Sequence, residues 1–155
     1  MLAILDYKAG NQTSVLRALR ALDIPAEITA DPSALLAAEG VIFPGVGAAG
    51  QAMHQLLSTG MDKVLRDIVA MRKPLLGICL GCQILLEHSE ENDTTCLGIL
   101  PGTCRRFDPE WRDGDDPIRI PHMGWNTLTI RRSSELLDGI DPESRFYFVH
   151  SYYTI

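Results

Sequence analysis

The first 90 residues alternate between short apolar runs and stretches whose apolar residues recur at helical spacing. Short apolar runs bounded by turn formers are typical of buried strands, and spacings of three and four residues are typical of helices. Strands that alternate with helices form a parallel sheet with helices on both faces. The predicted strands are residues 1–7, 26–29, 40–43 and 74–80, and the predicted helices are residues 11–23, 31–38, 51–72 and 81–89.

Local signals support these boundaries. Asn11 is available as a helix cap, Pro32 stands at the first position of a short helix, and Gly60 interrupts a long helical region. The predicted fold class is therefore α/β, with a doubly wound, mostly parallel sheet of the flavodoxin-like kind.

The pattern changes after Glu91. Three later segments alternate or run apolar between turn residues, as β-structure does, and an acidic segment rich in turn formers predicts a hairpin loop. We expect an added β-hairpin region after residue 95, within one domain that spans residues 1–155. The β segments are residues 97–107, 118–130 and 145–155, and the loop is residues 108–116.

Composition excludes several classes of partner. The formal net charge is −6 and the basic residues are scattered, whereas a duplex-binding surface needs clustered Lys and Arg. The apolar run of residues 74–86 contains Gln83 and is shorter than the ~20 residues that cross a bilayer. Asp6 leaves no room for the apolar part of a signal peptide. We expect a cytoplasmic protein with four reduced cysteines, no metal and no cofactor.

Polar and glycine-containing segments follow three of the predicted strands. Asp6 and Tyr7, residues 44–47, and Cys79 all stand at carboxyl ends of strands. Ligands of parallel sheets bind at these ends, so the sequence predicts a site there.

The segment "GICLGC" contains the strongest chemical signal. Cys79 stands two residues from Gly77 and from Gly81, between a strand and a helix. This G-x-C-x-G pattern resembles a nucleophile elbow, in which a sharp turn directs the thiol out of the sheet. The amide of Leu80 would then stabilise an oxyanion. The alternative is that Cys79 is a small apolar packing residue.

Two other interpretations remain open at this point. Cys79 and Cys82 form a CxxC at a strand-to-helix junction, which is typical of thiol redox proteins, although no proline stands between them. Residues 45–50 form a G-x-G-x-x-G, but no acidic residue ends the next strand to bind a ribose. A third interpretation fits residues 45–47 better: their glycines let backbone amides approach the reacting carbonyl of a substrate.

The whole chain resembles a known family. "GICLGCQ" matches the G-x-C-x-G-x-Q of the class I, triad-type glutamine amidotransferases. "DYKAGN", "PGVG", "SEE", "LGILPG", "IPHMGWN" and "FVHSYY" follow in the order found in the glutaminase subunits of imidazole glycerol phosphate synthase. Two residues depart from that pattern, because the family usually has glycine at the position of Lys8 and methionine at that of Cys82.

The resemblance implies an enzyme that hydrolyses L-glutamine to glutamate and ammonia through a cysteine thioester. The ammonia would pass to a separate (β/α)8-barrel cyclase subunit of the heterodimer, a lyase of histidine biosynthesis. The implied nucleophile is Cys79. The implied oxyanion hole is Gly45, Val46 and Leu80, and the implied glutamine ligands are Gln83, Glu91, Ser151 and Tyr152.

The resemblance also implies a partner surface and a missing base. The family presents the segment Pro121, His122, Met123, Gly124, Trp125 and Asn126 to the cyclase. Its base and acid come from a His-Pro-Glu motif, which none of the four histidines here begins. We therefore expect a C-terminally truncated domain that hydrolyses little glutamine alone. A non-catalytic module that binds glutamine or docks the cyclase remains the alternative.

Overall fold

The computed structural model describes residues 1–155 except the side chain of Asp113. The chain divides into two compact units. The first contains residues 1–105 and 154–155, and the second contains residues 106–153.

A four-stranded parallel sheet forms the centre of the first unit, with strand order β2-β1-β3-β4. Both faces of β1 are buried, with Ala3 and Leu5 on one face and Ile4 on the other, as a sheet covered on both sides requires. The predicted α/β class with a mostly parallel sheet is confirmed. The strands are β1 (Leu2–Leu5), β2 (Ala26–Thr29), β3 (Gly40–Gly45) and β4 (Leu75–Cys79).

The first four helices of this unit have their boundaries within about two residues of those that the local signals predicted. The Asn11 side chain accepts a hydrogen bond from the Ser14 amide at the start of the first helix. Asp31 caps the second helix, in which Pro32 is the first residue. Gly60, with φ 73°, separates the third and fourth. The helices are α1 (Gln12–Ala21), α2 (Pro32–Ala37), α3 (Ala49–Thr59), α4 (Met61–Ala70) and α5 (Leu80–Gln83).

The predicted helix over residues 81–89 is wrong in length, because α5 ends at Gln83. The next three residues, Ile84 to Leu86, are all buried, so they cannot form one stripe of a longer helix. Their carbonyls instead accept hydrogen bonds from the amides of residues 97–100. These tertiary bonds replace the helical ones, and His88 lies in a short strand rather than on the helix.

A second sheet has the strand order β12-β7-β5-β6. Thr103 and Ile155 exchange two backbone hydrogen bonds in it. The prediction of β-structure after Glu91 is thus confirmed for its central part, although residues 97–102 are irregular. The strands are β5 (His88–Ser89), β6 (Thr94–Thr95), β7 (Thr103–Arg106) and β12 (Tyr152–Thr154), and a 3-10 turn covers Glu91–Asp93.

The second unit is built from two antiparallel strand pairs. Strands β8 (Arg112–Asp113) and β9 (Asp116–Pro117) form the hairpin predicted in the acidic segment. Strands β10 (His122–Asn126) and β11 (Phe146–His150) form a five-residue ladder, which we call the β10–β11 ribbon. A 3-10 turn covers Glu135–Leu137. In the described part of the chain, every helix is too short or too polar to span a bilayer.

Candidate active site

Cys79 ends β4 in a backbone conformation that non-glycine residues rarely adopt. Its φ is 54° and its ψ is −118°, and α5 begins at the next residue. Such a conformation costs on the order of 1–3 kcal/mol and persists where the surroundings enforce it, often at functional sites. The side chain is exposed. The strand therefore turns sharply into the helix with the thiol outside the core, as the glycine spacing predicted.

Three glycines enforce this turn because they leave no room for a side chain. A Cβ on Gly81 would lie 1.9 Å from the carbonyl oxygen of Phe43 in β3. A Cβ on Gly77 would lie 2.7 Å from the Cα of Cys82. One on Gly45 would lie 2.5 Å from the Gly81 amide nitrogen. The start of α5 is thus held in direct backbone contact with β3 and β4.

The predicted oxyanion-hole residues surround the same junction. Gly45 is the register partner of Cys79, and a Cβ on Gly45 would lie 2.9 Å from the Cβ of Leu80. Leu80 is the first residue of α5, so its amide belongs to the helix turn whose amides lack intrahelical acceptors. Val46 is 53% exposed and precedes Gly47, whose φ is 90°. The structure brings Cys79, Gly45 and Leu80 together.

A hollow of about 250 Å³ adjoins this loop between the ends of β1 and β3. Lys8 in its wall has φ 63°, and its amide donates to Asp6 Oδ1 at 2.9 Å. A left-handed conformation favours glycine, so Lys8 holds a backbone conformation that is unfavourable for a residue with a side chain. The hollow is lined by Lys8, Ala9, Gly10, Val46, Gly47, Gln51 and Ala52.

Two of the predicted glutamine ligands lie in the first unit. Glu91 Oε2 accepts a 2.7 Å hydrogen bond from the amide of Ala49, the first residue of α3. Ala48 provides no side-chain cap for α3, so the Glu91 carboxylate takes that place and faces the positive end of the helix dipole. Gln83 is the last residue of α5 and is half-buried. Glu91 is therefore not a freely solvated charge.

Ser151 and Tyr152, the other two predicted ligands, follow β11 in the second unit and are half-buried. The Ser151 carbonyl accepts from the Phe107 amide at 3.1 Å. The Tyr152 carbonyl lies 2.8 Å from His150 Nδ1. Backbone carbonyl contacts therefore hold the main chain of both residues in place.

The four thiols fall into two classes. Cys79 and Cys82 are exposed, whereas Cys96 and Cys104 are buried. Desolvation raises the pKa of both buried thiols to about 11. Desolvation and the neighbouring Cys79 also raise the pKa of Cys82. Burial and the raised pKa make the two buried thiols poorer candidates for a nucleophile than the exposed Cys79.

Tyr7 is a buried residue at this end of the sheet to which the sequence assigned no role. Its ring packs edge-on against Phe43 with centroids 5.3 Å apart. Its hydroxyl is buried without a hydrogen-bond partner. Desolvation, with a smaller contribution from Cys79, raises the pKa of Tyr7 to about 12. Its place after a strand was visible in the sequence, but its unpaired hydroxyl was not.

The histidines occupy other environments. His88 Nε2 lies 3.4 Å from a carboxylate oxygen of Asp93. His122 and His150 face each other across the β10–β11 ribbon, with ring nitrogens 3.3 Å apart. They border a hollow of about 590 Å³ in the second unit. Among the described residues, no cluster of three or more His, Cys, Asp or Glu side chains is arranged to bind a metal ion.

The ribbon divides the predicted partner segment between two faces. Met123 and Trp125 are 60% and 56% exposed, and they pair with Val149 and Tyr147 of β11. The Trp125 and Tyr147 rings lie 5.4 Å apart. These four side chains form an exposed surface that we call the ribbon face.

The remaining positions of β10 do not belong to the ribbon face. His122, Gly124 and Asn126 alternate with Met123 and Trp125 along the strand, and His122 bonds to Asn126 and His150. Pro121 precedes the strand and is exposed. The sequence missed Tyr147 and Val149, although the alternation in "FYFVH" was the available signal.

Comparisons with known proteins agree with this geometry. A solved structure described as "Crystal structure of glutamine amidotransferase" superposes with a TM-score of 0.68 at 19% identity, covering 97% of this chain and 70% of that one. At this identity the likeness concerns the fold. Residues 3–155 match the family described as "Glutamine amidotransferase class-I".

Close relatives are named "Imidazole glycerol phosphate synthase subunit HisH". The one from Nitratidesulfovibrio vulgaris (strain DSM 19637 / Miyazaki F) is 67% identical, over 99% of this chain and 73% of its own length. The one from Maridesulfovibrio salexigens is 62% identical over the same shares. The one from Streptococcus gordonii is 48% identical, over 99% of this chain and 72% of its own. The chain belongs to the class-I glutamine amidotransferases, among the imidazole glycerol phosphate synthase HisH subunits.

Proposed function

We propose that this chain is the glutaminase subunit of an imidazole glycerol phosphate synthase. Cys79 Sγ attacks the side-chain amide carbon of L-glutamine, and a thioester forms as ammonia leaves. Water then hydrolyses the thioester to glutamate and regenerates the thiol. The observation that carries the proposal is the strained backbone of Cys79, which holds an exposed thiol at the start of a helix.

The oxyanion of the tetrahedral intermediate is stabilised by backbone amides. The Leu80 amide at the start of α5 is one donor, and the Gly45–Val46 segment supplies the other. Val46 is exposed and Gly47 has a positive φ, so the peptide between them can reorient without repacking a core. This segment is the part of the site that a partner subunit can adjust.

We assign glutamine recognition to Gln83, Glu91, Ser151 and Tyr152. The Glu91 carboxylate suits the α-amino group of the substrate, and its bond to the Ala49 amide already fixes its position. Ser151 and Tyr152 are assigned on the family resemblance. Ser151 and Tyr152 would bind glutamine without a metal or a cofactor.

No proton-transfer group for this site is assigned among the 155 residues. Thioester formation needs a base for the thiol proton and an acid for the leaving ammonia. His122 and His150 bond to each other and to neighbouring groups, and no His-Pro-Glu occurs in the 155 residues. We propose that these residues bind and present the nucleophile but turn over little glutamine by themselves.

The ribbon face is the proposed docking surface for the cyclase subunit. Met123, Trp125, Tyr147 and Val149 expose a continuous apolar and aromatic patch, and Trp and Tyr are enriched at the centres of protein interfaces. The partner is a (β/α)8-barrel cyclase that uses the ammonia in a lyase reaction of histidine biosynthesis. The heterodimer works in the cytoplasm.

A glutamate-release assay tests the catalytic part of the proposal. The chain is incubated with glutamine and a cyclase subunit from a close relative, and glutamate is measured over time. We expect release at least ~100-fold slower than with a full-length relative, because general acid–base catalysis contributes about 10²–10⁴-fold. Release at the rate of the full-length relative would contradict the assignment of the missing groups.

The second candidate is a non-catalytic module that binds glutamine or docks the cyclase. The ribbon face favours it, because an apolar docking surface functions without a catalytic base. A thiol redox function is a more remote candidate, because Cys79 and Cys82 are both exposed. Covalent capture of a glutamine analogue at Cys79 separates the enzyme from both.

A further inference from the structure

Two histidines of the second unit form a continuous chain of hydrogen bonds. His150 Nδ1 lies 2.8 Å from the Tyr152 carbonyl oxygen, and His150 Nε2 lies 3.3 Å from His122 Nδ1. At the other end, His122 Nε2 lies 3.1 Å from Asn126 Nδ2. These contacts join β10 to the main chain that follows β11, and we call them the histidine bridge.

The carbonyl end of the histidine bridge determines where each ring carries its proton. A carbonyl oxygen only accepts, so His150 Nδ1 carries a hydrogen and Nε2 of the neutral ring is an acceptor. His122 Nδ1 is then the donor to it, which leaves His122 Nε2 to accept from the Asn126 amide. With both rings neutral, one arrangement of protons satisfies all three contacts, and in it both rings are Nδ1–H tautomers.

The histidine bridge extends beyond the end of the β10–β11 ladder. The last pair of that ladder is His122 with His150, so the ladder itself does not hold the residues after His150. Ser151 separates β11 from β12, and the His150 side chain bonds across this break to the carbonyl of Tyr152. The ribbon thereby holds the main chain two residues past its own last pair.

Phe107 supports the same break. Its amide donates to the Ser151 carbonyl at 3.1 Å, and its ring packs edge-on against that of His150 with centroids 5.1 Å apart. Both histidines are half-buried, and hydrogen bonds partly withdrawn from water are stronger than exposed ones. The peptides on either side of Tyr152 are therefore held by groups that have no other evident task.

We propose that His150 and His122 are positioning residues for glutamine binding. His150 holds the main chain at Tyr152 through its Nδ1–H, and His122 holds the His150 ring through its own Nδ1–H. The nitrogens of both rings already have partners, so the pair orients the site and transfers no proton of the substrate. The inference rests on the proposed function, because it takes Ser151 and Tyr152 as ligands of glutamine.

Nitrogen NMR of the imidazoles tests the histidine bridge without glutamine. At about pH 8, where an ordinary imidazole is neutral, both rings should show a protonated Nδ1 and an unprotonated Nε2. Free histidine prefers the Nε2–H form, so the exposed His54 should show that form in the same spectrum. An Nε2–H tautomer at His122 or at His150 would overturn the proposal.

A matched pair of substitutions at His150 tests the positioning role. The side-chain amide of asparagine lies near the place of Nδ1, and that of glutamine lies near the place of Nε2. His150→Asn therefore keeps a donor toward the Tyr152 carbonyl and loses the acceptor for His122, whereas His150→Gln does the reverse. Each variant loses one hydrogen bond, so both should lower the melting temperature to a similar extent.

Glutamine binding is read from the protection of Cys79 against iodoacetamide. The chain carries Cys82→Ser, so that Cys79 is the exposed thiol while Cys96 and Cys104 are buried. The glutamine concentration that gives half-protection should rise about fivefold in His150→Gln, the factor that corresponds to one hydrogen bond. In His150→Asn it should stay within about twofold of the parent, although the stability falls as in the other variant.

Equal rises in the two variants would mean that the histidine bridge only stabilises the fold, and this result would overturn the positioning role. Unchanged binding in His150→Gln would overturn it as well. Both results count against this inference alone, because they require that glutamine protects the parent. A parent that glutamine does not protect would instead contradict the proposed function on which the inference rests.

Discussion

The β4–α5 junction and the β10–β11 ribbon use glycine and aromatic side chains in opposite ways. At the junction, a Cβ on Gly81 would lie 1.9 Å from a backbone oxygen, whereas Gly124 in the ribbon has nothing within 4 Å of its added Cβ. Tyr7 near the junction is fully buried, whereas Trp125 of the ribbon is 56% exposed. The two regions are therefore shaped by different physical demands.

The junction fixes the position of a single sulfur atom, whereas the ribbon exposes an extended apolar surface. Close backbone contact leaves the chain one conformation at Cys79 and stores strain there. The ribbon needs only its ladder to hold Met123 and Trp125 in line with Val149 and Tyr147. Substitutions at the junction should consequently affect folding and reactivity, and substitutions on the ribbon face should affect association.

The largest effect is expected from Gly81→Ala. The added methyl group would overlap the Phe43 carbonyl, which belongs to a buried central strand and cannot move away without breaking the sheet. We expect a loss of about 4 kcal/mol in the free energy of unfolding, at the upper end for overpacking. Urea denaturation measures it.

Gly50→Ala is the matched control for that substitution. Gly50 lies in α3, and its added Cβ would meet only the Thr94 hydroxyl at 3.4 Å, an ordinary contact. Alanine is favoured over glycine in helices by about 0.5–1 kcal/mol, so this variant should be equally or more stable. If Gly81→Ala behaved like Gly50→Ala, the tight junction described above would be wrong.

A smaller effect is expected from Trp125→Ala on the ribbon. Trp125 is exposed and its ring lies tilted against that of Tyr147, so the free energy of unfolding should change by less than about 1 kcal/mol. Affinity for the cyclase subunit, measured by calorimetric titration, should fall about 30-fold, equivalent to about 2 kcal/mol for an aromatic anchor.

Leu136→Ala provides the control for the association measurement. Leu136 is 68% exposed in the same unit but lies in a 3-10 turn that is not part of the ribbon strands. Its removal should leave the affinity for the cyclase within about twofold of the parent. Equal losses in Leu136→Ala and Trp125→Ala would mean that the ribbon face is not the docking surface.

The sequence predicted what local patterns determine. Short apolar runs located β1, β3 and β4, and Asn11, Pro32 and Gly60 located helix boundaries. The G-x-C-x-G spacing predicted the turn at Cys79 because small residues and a nucleophile at a strand end have few other arrangements. These features depend on neighbours in sequence.

The features that the sequence did not predict depend on distant neighbours. The helix over residues 81–89 stops at Gln83 because amides of residues 97–100 bond to the carbonyls that would have continued it. The cap that Glu91 provides for α3 joins residues 42 apart in sequence. The ribbon face likewise required the pairing of β10 with β11.

Covalent labelling with a diazoketone analogue of glutamine tests the central claim most directly. The chain is incubated with the analogue, digested, and examined by mass spectrometry, with excess glutamine as competitor. The account predicts one adduct, on Cys79, that glutamine suppresses and that Cys79→Ser abolishes, while Cys82, Cys96 and Cys104 stay unmodified. An adduct that forms mainly on Cys82, or one on Cys79 that glutamine does not suppress, would contradict it.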